Sequence, residues 1–440
     1  MGQIDRELEN IVGKPNVISN TADLNRCNVD GMTPKYVVTP SSETEISEII
    51  KLCNLESLAV SAFGSMTKKS IGNIPKRLDI ALSTLKLNKL INHQPDDMIV
   101  TTEPGLSLKK LQNRLKTKEQ FLPIDPPHVN KGATIGGIIS TNDSGPCRVR
   151  YGTARELLIG IKAVRSDGKI IKGGSKVVKN VAGYDLPKLF VGSIGTLGIL
   201  TETTFRVSPV PEASETIILG IPELESISNT VKLLIKSNFV FSRFEIINPS
   251  LANKIIPECK IDLPNENYLI SINIENVEKA VRDQADNISK LISKNIKAVS
   301  ITEKKLEDSF WYNIREFPWK LIRSKRIVLK AGVLITDIAK ILHRIKTLEK
   351  KFEIDIYCSS RITNGIYIIS FKESNDSTDI VNNLRNFITE LGGSLVILEA
   401  SSVLKSVIDV WNIDPQTKKL MKKLKLQFDP KEILNPGKLI

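Results

Sequence analysis

Apolar residues in the first half of the chain alternate between two rhythms. The short run "KYVVTP", closed by a proline, predicts a strand. Behind it, Ser42-x-x-Glu45 has the form of a capping box, and Ile46, Ile49, Ile50 and Cys53 recur at i, i+3, i+4 and i+7. That spacing predicts a helix with one face buried against a sheet. "LAVSAFG" predicts the next strand and runs into "GSMTKKSIG", a loop of small and polar residues. A strand–helix–strand unit ending in such a loop commonly places a ligand at the strand's C-terminal end. A further strand, "MIVTTEPG", leads to a helix from Ser107, and this gives way to "FLPIDPPHVNKGATIGGIISTNDSGP". So much Gly, Pro, Ser and Thr predicts irregular backbone that serves a function.

From about Glu215 the rhythm changes. "ETIILGI", "SRFEII", "YLISINIE", "KAVSIT", "RIVLKAGVL", "GIYIISF" and "SLVILEA" predict strands, interleaved with helices such as Val277–Lys294 and Ile335–Lys351. Val277, Val281, Ile288 and Leu291 mark the buried stripe of the first of these. The pattern predicts a second domain, an α+β sheet with helices on one face. The last segment, "KSVIDVWNIDPQTKKLMKKLKLQFDPKEILNPGKLI", reads as helical and ends in a Pro/Gly turn.

Length supports the division, since 440 residues exceed one ordinary core. Hydrophobic residues at 41% and charged ones at 25% fit a globular protein. The N-terminus "MGQIDRELENIVGK" lacks the apolar run of a secretory signal, and no stretch reaches about 18 apolar residues, so the expectation is a cytoplasmic chain with no membrane span. Cys27, Cys53, Cys147, Cys259 and Cys358 lie far apart without a C-x-x-C pair, which argues against a disulfide framework or a metal cluster. A net charge of +13 raises nucleic acid as a partner, but the lysines are dispersed and no nucleic-acid module is present, so none is expected. The one local concentration, "TKKLMKKLKLQF", reads as a helix with a solvated basic face.

Several chemistries are excluded by spacing. Gly192-x-x-Gly195-x-x-Gly198 is not the G-x-G-x-x-G of a dinucleotide turn, and "GKIIKGGSK" has Gly174 where a triphosphate loop needs its lysine. His93, His128 and His343 are scattered, and no G-x-S-x-G elbow occurs. What remains is three bare loops: Gly64 to Gly72, Thr134 to Gly145, and Gly192 to Gly198 within "KNVAGYDLPKLFVGSIGTLGIL". Glycine lets backbone N–H groups approach a pyrophosphate or ring edge that a side chain would block. Three such loops in order suit an extended dinucleotide.

The set "PSSETEISEII", "ATIGGIISTNDSGP", "YGTARELLIG", "KNVAGYDLPKLFVGSIGTLGILTE" and "FDPKEILNPGK" resembles the FAD-linked oxidases of the vanillyl-alcohol oxidase/p-cresol methylhydroxylase superfamily. "DPPHVNKGATIGG", "DVWNIDP" and "LMKKLKLQFDPKEILNPG" resemble most the FAD-binding E subunit of glycolate oxidase. The resemblance implies an α+β fold: a two-lobed FAD-binding domain of the p-cresol methylhydroxylase type, plus an α+β cap domain with an antiparallel sheet and helices. On this chain that gives an N-terminal helical segment 1–29, an FAD domain 30–209, a cap 210–404 and a C-terminal segment 405–440 returning to the FAD domain.

The resemblance also implies residues. Phe63, Gly64, Ser65, Met66, Thr67 and Lys68 would form the pyrophosphate loop. Thr134, Ile135, Gly136, Gly137, Thr141, Asn142, Ser144 and Gly145 would line the flavin, and Gly195, Thr196, Gly198 and Ile199 would hold the adenine end. That first loop has no histidine or cysteine, so FAD is expected to be non-covalent; Ser65 and Met66 stand where the family commonly has glycines, and Ile194 where a glutamate is common. Arg361 and His128 are conceivable for a substrate carboxylate and proton, but no catalytic residue is assigned. The expected function is an FAD-binding subunit of a glycolate-oxidase-like complex acting on a small 2-hydroxy acid, partnered by a catalytic flavoprotein subunit and an iron–sulfur subunit. The alternatives are a self-sufficient 2-hydroxy-acid dehydrogenase and a scaffold that has lost FAD.

Overall fold

The structure, a computed structural model, describes residues 2–174, 185–264, 267–292 and 296–440. Gly183 and the rest of 179–184 in the glycine-rich run lie outside the described residues. The chain divides into two compact units: Met1–Ser144, Gly152–Val210 and Ile413–Ile440 make the first, and Gly145–Tyr151 with Pro211–Asn412 the second.

In the first unit the strands are β1 Val17–Ile18, β2 Tyr36–Val38, β3 Val60–Phe63, β4 Ile80–Ser83, β5 Leu90–Gln94, β6 Ile99–Thr102, β7 Gln120–Phe121, β8 Leu158–Val164, β9 Ile170–Gly174, β10 Ile199–Arg206 and β11 Ser208–Pro209. They form two lobes. One sheet runs β1-β2-β4-β3, with β2, β4 and β3 parallel. The helix Glu43–Leu55 packs on it through Ile46, Ile49, Ile50 and Cys53, each fully buried. Ser42 caps that helix, accepting the Glu45 amide at 3.1 Å. At roughly 1.5–3 kcal/mol per buried apolar side chain, this stripe holds the helix down far more firmly than its cap does. The second sheet is antiparallel, β5-β6-β10-β8-β9, and its core joins Leu108, Leu111 and Leu115 to Ile135, Ile138 and Ile139. Leu424 and Phe428 of the helix Pro415–Phe428 pack against the same core, so the C-terminal segment closes this unit.

The second unit is one antiparallel eight-stranded sheet. Its strands are β12 Ala213–Ile221, β13 Arg243–Ile247, β14 Tyr268–Asn276, β15 Lys297–Ile301, β16 Arg326–Gly332, β17 Tyr357–Arg361, β18 Ile366–Lys372 and β19 Ser394–Glu399. Their order is β15-β12-β14-β13-β17-β18-β16-β19. Period-two alternation splits every strand but the edge strand β15 between two cores. Tyr268, Ile270, Ile272 and Ile274 of β14 face one, together with the helices Leu224–Lys236, Glu278–Leu291, Ile338–Phe352 and Ser377–Glu390, and Leu269 faces the other. The expectation of helices on one face is corrected here. Pro249–Glu258 and Lys304–Leu321 cover part of the opposite face through Leu251, Ile255, Phe310 and Phe317. The rest of that face is polar: Glu275 pairs with Arg243 at 3.0 Å, and Glu245 with Arg361 at 3.5 Å. Gly145–Tyr151 belongs to this unit because Arg150 donates to Ser242 at 3.2 Å and the Tyr151 hydroxyl to Glu275 at 3.3 Å.

Three tyrosines of the second unit share one electrostatic condition. Burial, reinforced by Glu275 beside Tyr151, Glu349 beside Tyr268 and Asp355 beside Tyr357, pushes each phenol up from 10.0 to about 12. A group with a raised folded pKa contributes its full stability below the unfolded value and loses it as pH climbs towards the folded one. On alkaline titration these phenols are therefore expected to ionise together with loss of the second unit's circular dichroism, between pH 10 and 12. Tyrosinate absorbance that rises fully around pH 10, with the dichroism unchanged, would contradict this burial.

Candidate cofactor site

The C-terminal end of β3 opens into the loop Gly64–Lys69, one wall of a cavity of about 1030 Å³ counted out to open solvent. Gly64 lies so close to Thr134 that a Cβ would come within 2.1 Å of its hydroxyl. Ser65 donates its hydroxyl to the Gly132 carbonyl, and Met66 takes a left-handed φ of 56°. For a residue with a side chain that conformation costs roughly 1–2 kcal/mol, so Met66 makes the turn a glycine would make freely. Lys68 pairs with Asp143, both largely shielded from solvent.

The second wall is the helix Ile135–Thr141, inside the stretch expected to be irregular. Both of its ends are closed: Thr134 Oγ1 accepts from the Gly137 amide at 3.4 Å, and Asn142 at φ 48° ends it in the left-handed region. Ile135, Ile138 and Ile139 supply the buried stripe, with Gly136 and Gly137 between them blurring its periodicity. Gly136 donates to the Pro104 carbonyl at 2.8 Å, and a Cβ there would lie 2.7 Å from that proline's ring.

The third wall runs from Ile194 to Leu200 and depends on the C-terminal segment. Ile194 has φ 51° and Gly195 φ 64°. The Ile194 amide donates to Ser140 O at 2.8 Å, and its carbonyl accepts from Asn435 Nδ2 at 2.7 Å. Asn435 also accepts the Ser61 hydroxyl, and its amide bonds Val60 O at 2.9 Å, so residues 433–435 run along β3. Lys425 is 5% exposed and Asp429 fully buried. The Lys425 ammonium donates to Asp429, to Thr196 O at 2.7 Å and to Leu434 O at 2.8 Å. Burial pulls its pKa below the usual lysine range, against the opposing attraction of Asp429. Lys438, also on the cavity, pairs with Asp30 at 3.3 Å.

Of the residues expected at the site, Phe63, Gly64, Ser65, Met66, Thr67, Lys68, Thr134, Gly136, Gly137, Thr141, Gly195, Gly198 and Ile199 line this cavity. Ile135 instead turns into the apolar core, Thr196 is buried with its hydroxyl donated to Ser193 O at 2.7 Å, and Asn142 caps its helix. Ser144 is buried off the cavity wall, and Gly145 falls in the second unit. Ser140, Asp143 and Ile194, which also line it, fall inside the bare loops singled out in the sequence; missed there were Ser61, Asn435 and Lys438. The signal for the last two was the terminal "NPGK", read only as the chain's return. His128 is buried at φ 66°, His93 bonds Gln120 at 2.9 Å, and among the described residues no group of three metal-ligating side chains gathers.

The cavity suits a flavin dinucleotide. Gly64 and Gly195 let the cavity walls close tightly, since a Cβ at either would run into Thr134 or Asn435, while Lys68, Lys69 and Lys438 suit a pyrophosphate, and Val29, Ile71, Ile138 and Leu200 offer apolar contact for rings. The comparisons agree. Residues 34–174 match the FAD binding domain family, and 210–439 match the family of FAD linked oxidases, C-terminal domain. A glycolate oxidase subunit, GlcD, of Bacillus subtilis is 28% identical over 419 residues, covering 92% of this chain and 89% of that one. A D-lactate dehydrogenase of Archaeoglobus fulgidus is 28% identical over 414 residues, covering 92% and 91%. The solved p-cresol methylhydroxylase superposes with a TM-score of 0.77 at 14% identity, covering 100% of this chain and 97% of that one, a likeness of fold. The chain belongs to the FAD-linked oxidases, with FAD as its cofactor and alcohol groups as the donors it oxidises.

Proposed function

We propose that the chain is the FAD-binding subunit of an assembly like glycolate oxidase, accepting or relaying through a non-covalently held FAD the electrons of a small 2-hydroxy acid. The observation that carries this is the pairing of relatives. A glycolate oxidase subunit and a D-lactate dehydrogenase are equally identical to the chain over nine tenths of its length, and both names refer to 2-hydroxy acids. Non-covalent attachment follows from the loop Phe63–Lys69, which offers no histidine or cysteine to bond the flavin.

In this reading residues 30–209 carry the cofactor, 210–404 form the cap and 405–440 return to the FAD domain. The loop Phe63–Lys68 faces the pyrophosphate, with Lys68 and Lys438 countering its charge. Thr134, Gly136 and Gly137 flank the flavin, and the Ile194–Ile199 wall holds the adenine end. When bound, FAD supplies the two-electron acceptor for the substrate's carbinol hydrogen. The scaffold reading loses its motive, because Ser65 and Met66 complete the turn in place of glycines. Self-sufficient turnover is the second reading, favoured by the D-lactate dehydrogenase relatives.

Two outcomes are expected. The purified chain should show a flavin band. Adding its catalytic flavoprotein and iron–sulfur partners with glycolate or D-lactate under anaerobic conditions should bleach that band; bleaching by the chain alone supports the second reading, and none with either acid opposes both. Gly64→Ala should weaken FAD binding about tenfold or more, because its Cβ must displace Thr134 from the cavity wall. Unchanged affinity in that variant would place FAD elsewhere.

A further inference from the structure

The wall Ile194–Ile199 begins with a non-glycine residue in the left-handed region. A β-branched residue at φ 51° is strained and persists only where its neighbours over-determine it. Two elements do so here. The helix Ile135–Thr141 fixes the Ile194 amide through Ser140 O, and the C-terminal segment fixes the Ile194 and Thr196 carbonyls through Asn435 and Lys425.

That C-terminal contribution is organised around one cation. An ammonium has three donors, and Lys425 meets three acceptors: Thr196 O, Leu434 O and the Asp429 carboxylate. Asp429 in turn accepts the amides of Ile433 at 3.1 Å and Leu434 at 2.8 Å. The next residue is Asn435, which holds Ile194. Lys425 itself does not line the cavity. A buried pair of this kind gains little stability over an apolar substitute, so its cost calls for another role.

We propose that Lys425 is a positioning residue for the cofactor: through the Thr196 carbonyl and Leu434 it holds the strained Ile194–Ile199 wall in the shape that receives FAD. This rests on the placement of FAD in this cavity given above. Lys425→Met paired with Asp429→Asn removes the interaction without stranding a buried carboxylate. Titrating the full-length apoprotein with FAD, followed by flavin fluorescence, should show affinity lowered about tenfold. The same pair introduced beside Ile194→Gly should cost clearly less than in the wild-type background, because glycine needs nothing to hold it at positive φ. No loss of affinity overturns the proposal, as does an equal loss in both backgrounds, which would be general destabilisation.

Hydrogen exchange of the wild-type chain tests the coupling without any variant. Added FAD should slow exchange at the Ile194 and Thr196 amides together with those of Ile433, Leu434 and Asn435. Protection of the first group alone overturns the positioning role. Protection of neither, with FAD demonstrably bound, overturns the placement of FAD and the proposal with it.

Discussion

The first unit depends on the contact between a buried ammonium and the two ends of a long excursion of the chain. Lys425 joins Thr196 to Leu434 and Asp429, so the last residues reach back over some two hundred positions to meet the third cavity wall. From that junction the segment continues along β3, exchanging Val60 N→Ile433 O at 2.7 Å and Asn435 N→Val60 O at 2.9 Å. β3 is the strand whose end opens into Gly64–Lys69. One cation thus registers both the loop proposed to face the pyrophosphate and the wall proposed to face the adenine.

Electrostatics explains why such a contact suits a cofactor site. Desolvation opposes the charge on Lys425 and Asp429 opposes that desolvation, so the pair is tolerated only in good geometry. An apolar plug could fill the same volume but could not fix two carbonyl directions. Strain at Ile194 and Met66, both at positive φ on the cavity, belongs to the same economy of precise backbone placement.

How much of this was legible in the sequence follows from which interactions are local. The nearly continuous apolar runs of β12, β14 and β16 marked these strands, because each faces two apolar cores. β17 left no such mark. Its Ser359 and Arg361 meet Glu245 across the sheet, so its pattern is polar on one face and short on the other. Strand order was likewise hidden, since β13 and β17 pair across more than a hundred residues. At the site, the glycines of the first two loops pointed to the cavity through their local freedom. The left-handed turn at Ile194 was not legible, because it is imposed by Ser140 and Asn435 from elsewhere in the chain. Helix Ile135–Thr141 was obscured because two glycines stand inside its apolar stripe.

The proposed seat of FAD is this cavity, with the C-terminal segment forming part of its wall. The most direct measurement is a crystal structure of the chain reconstituted with FAD. Pyrophosphate density is expected at the Gly64–Lys68 loop with Lys438 alongside, and the adenine against Gly195 and Ile199. Flavin density away from these residues, or an adenine end that leaves Asn435 and Lys438 untouched, would contradict it.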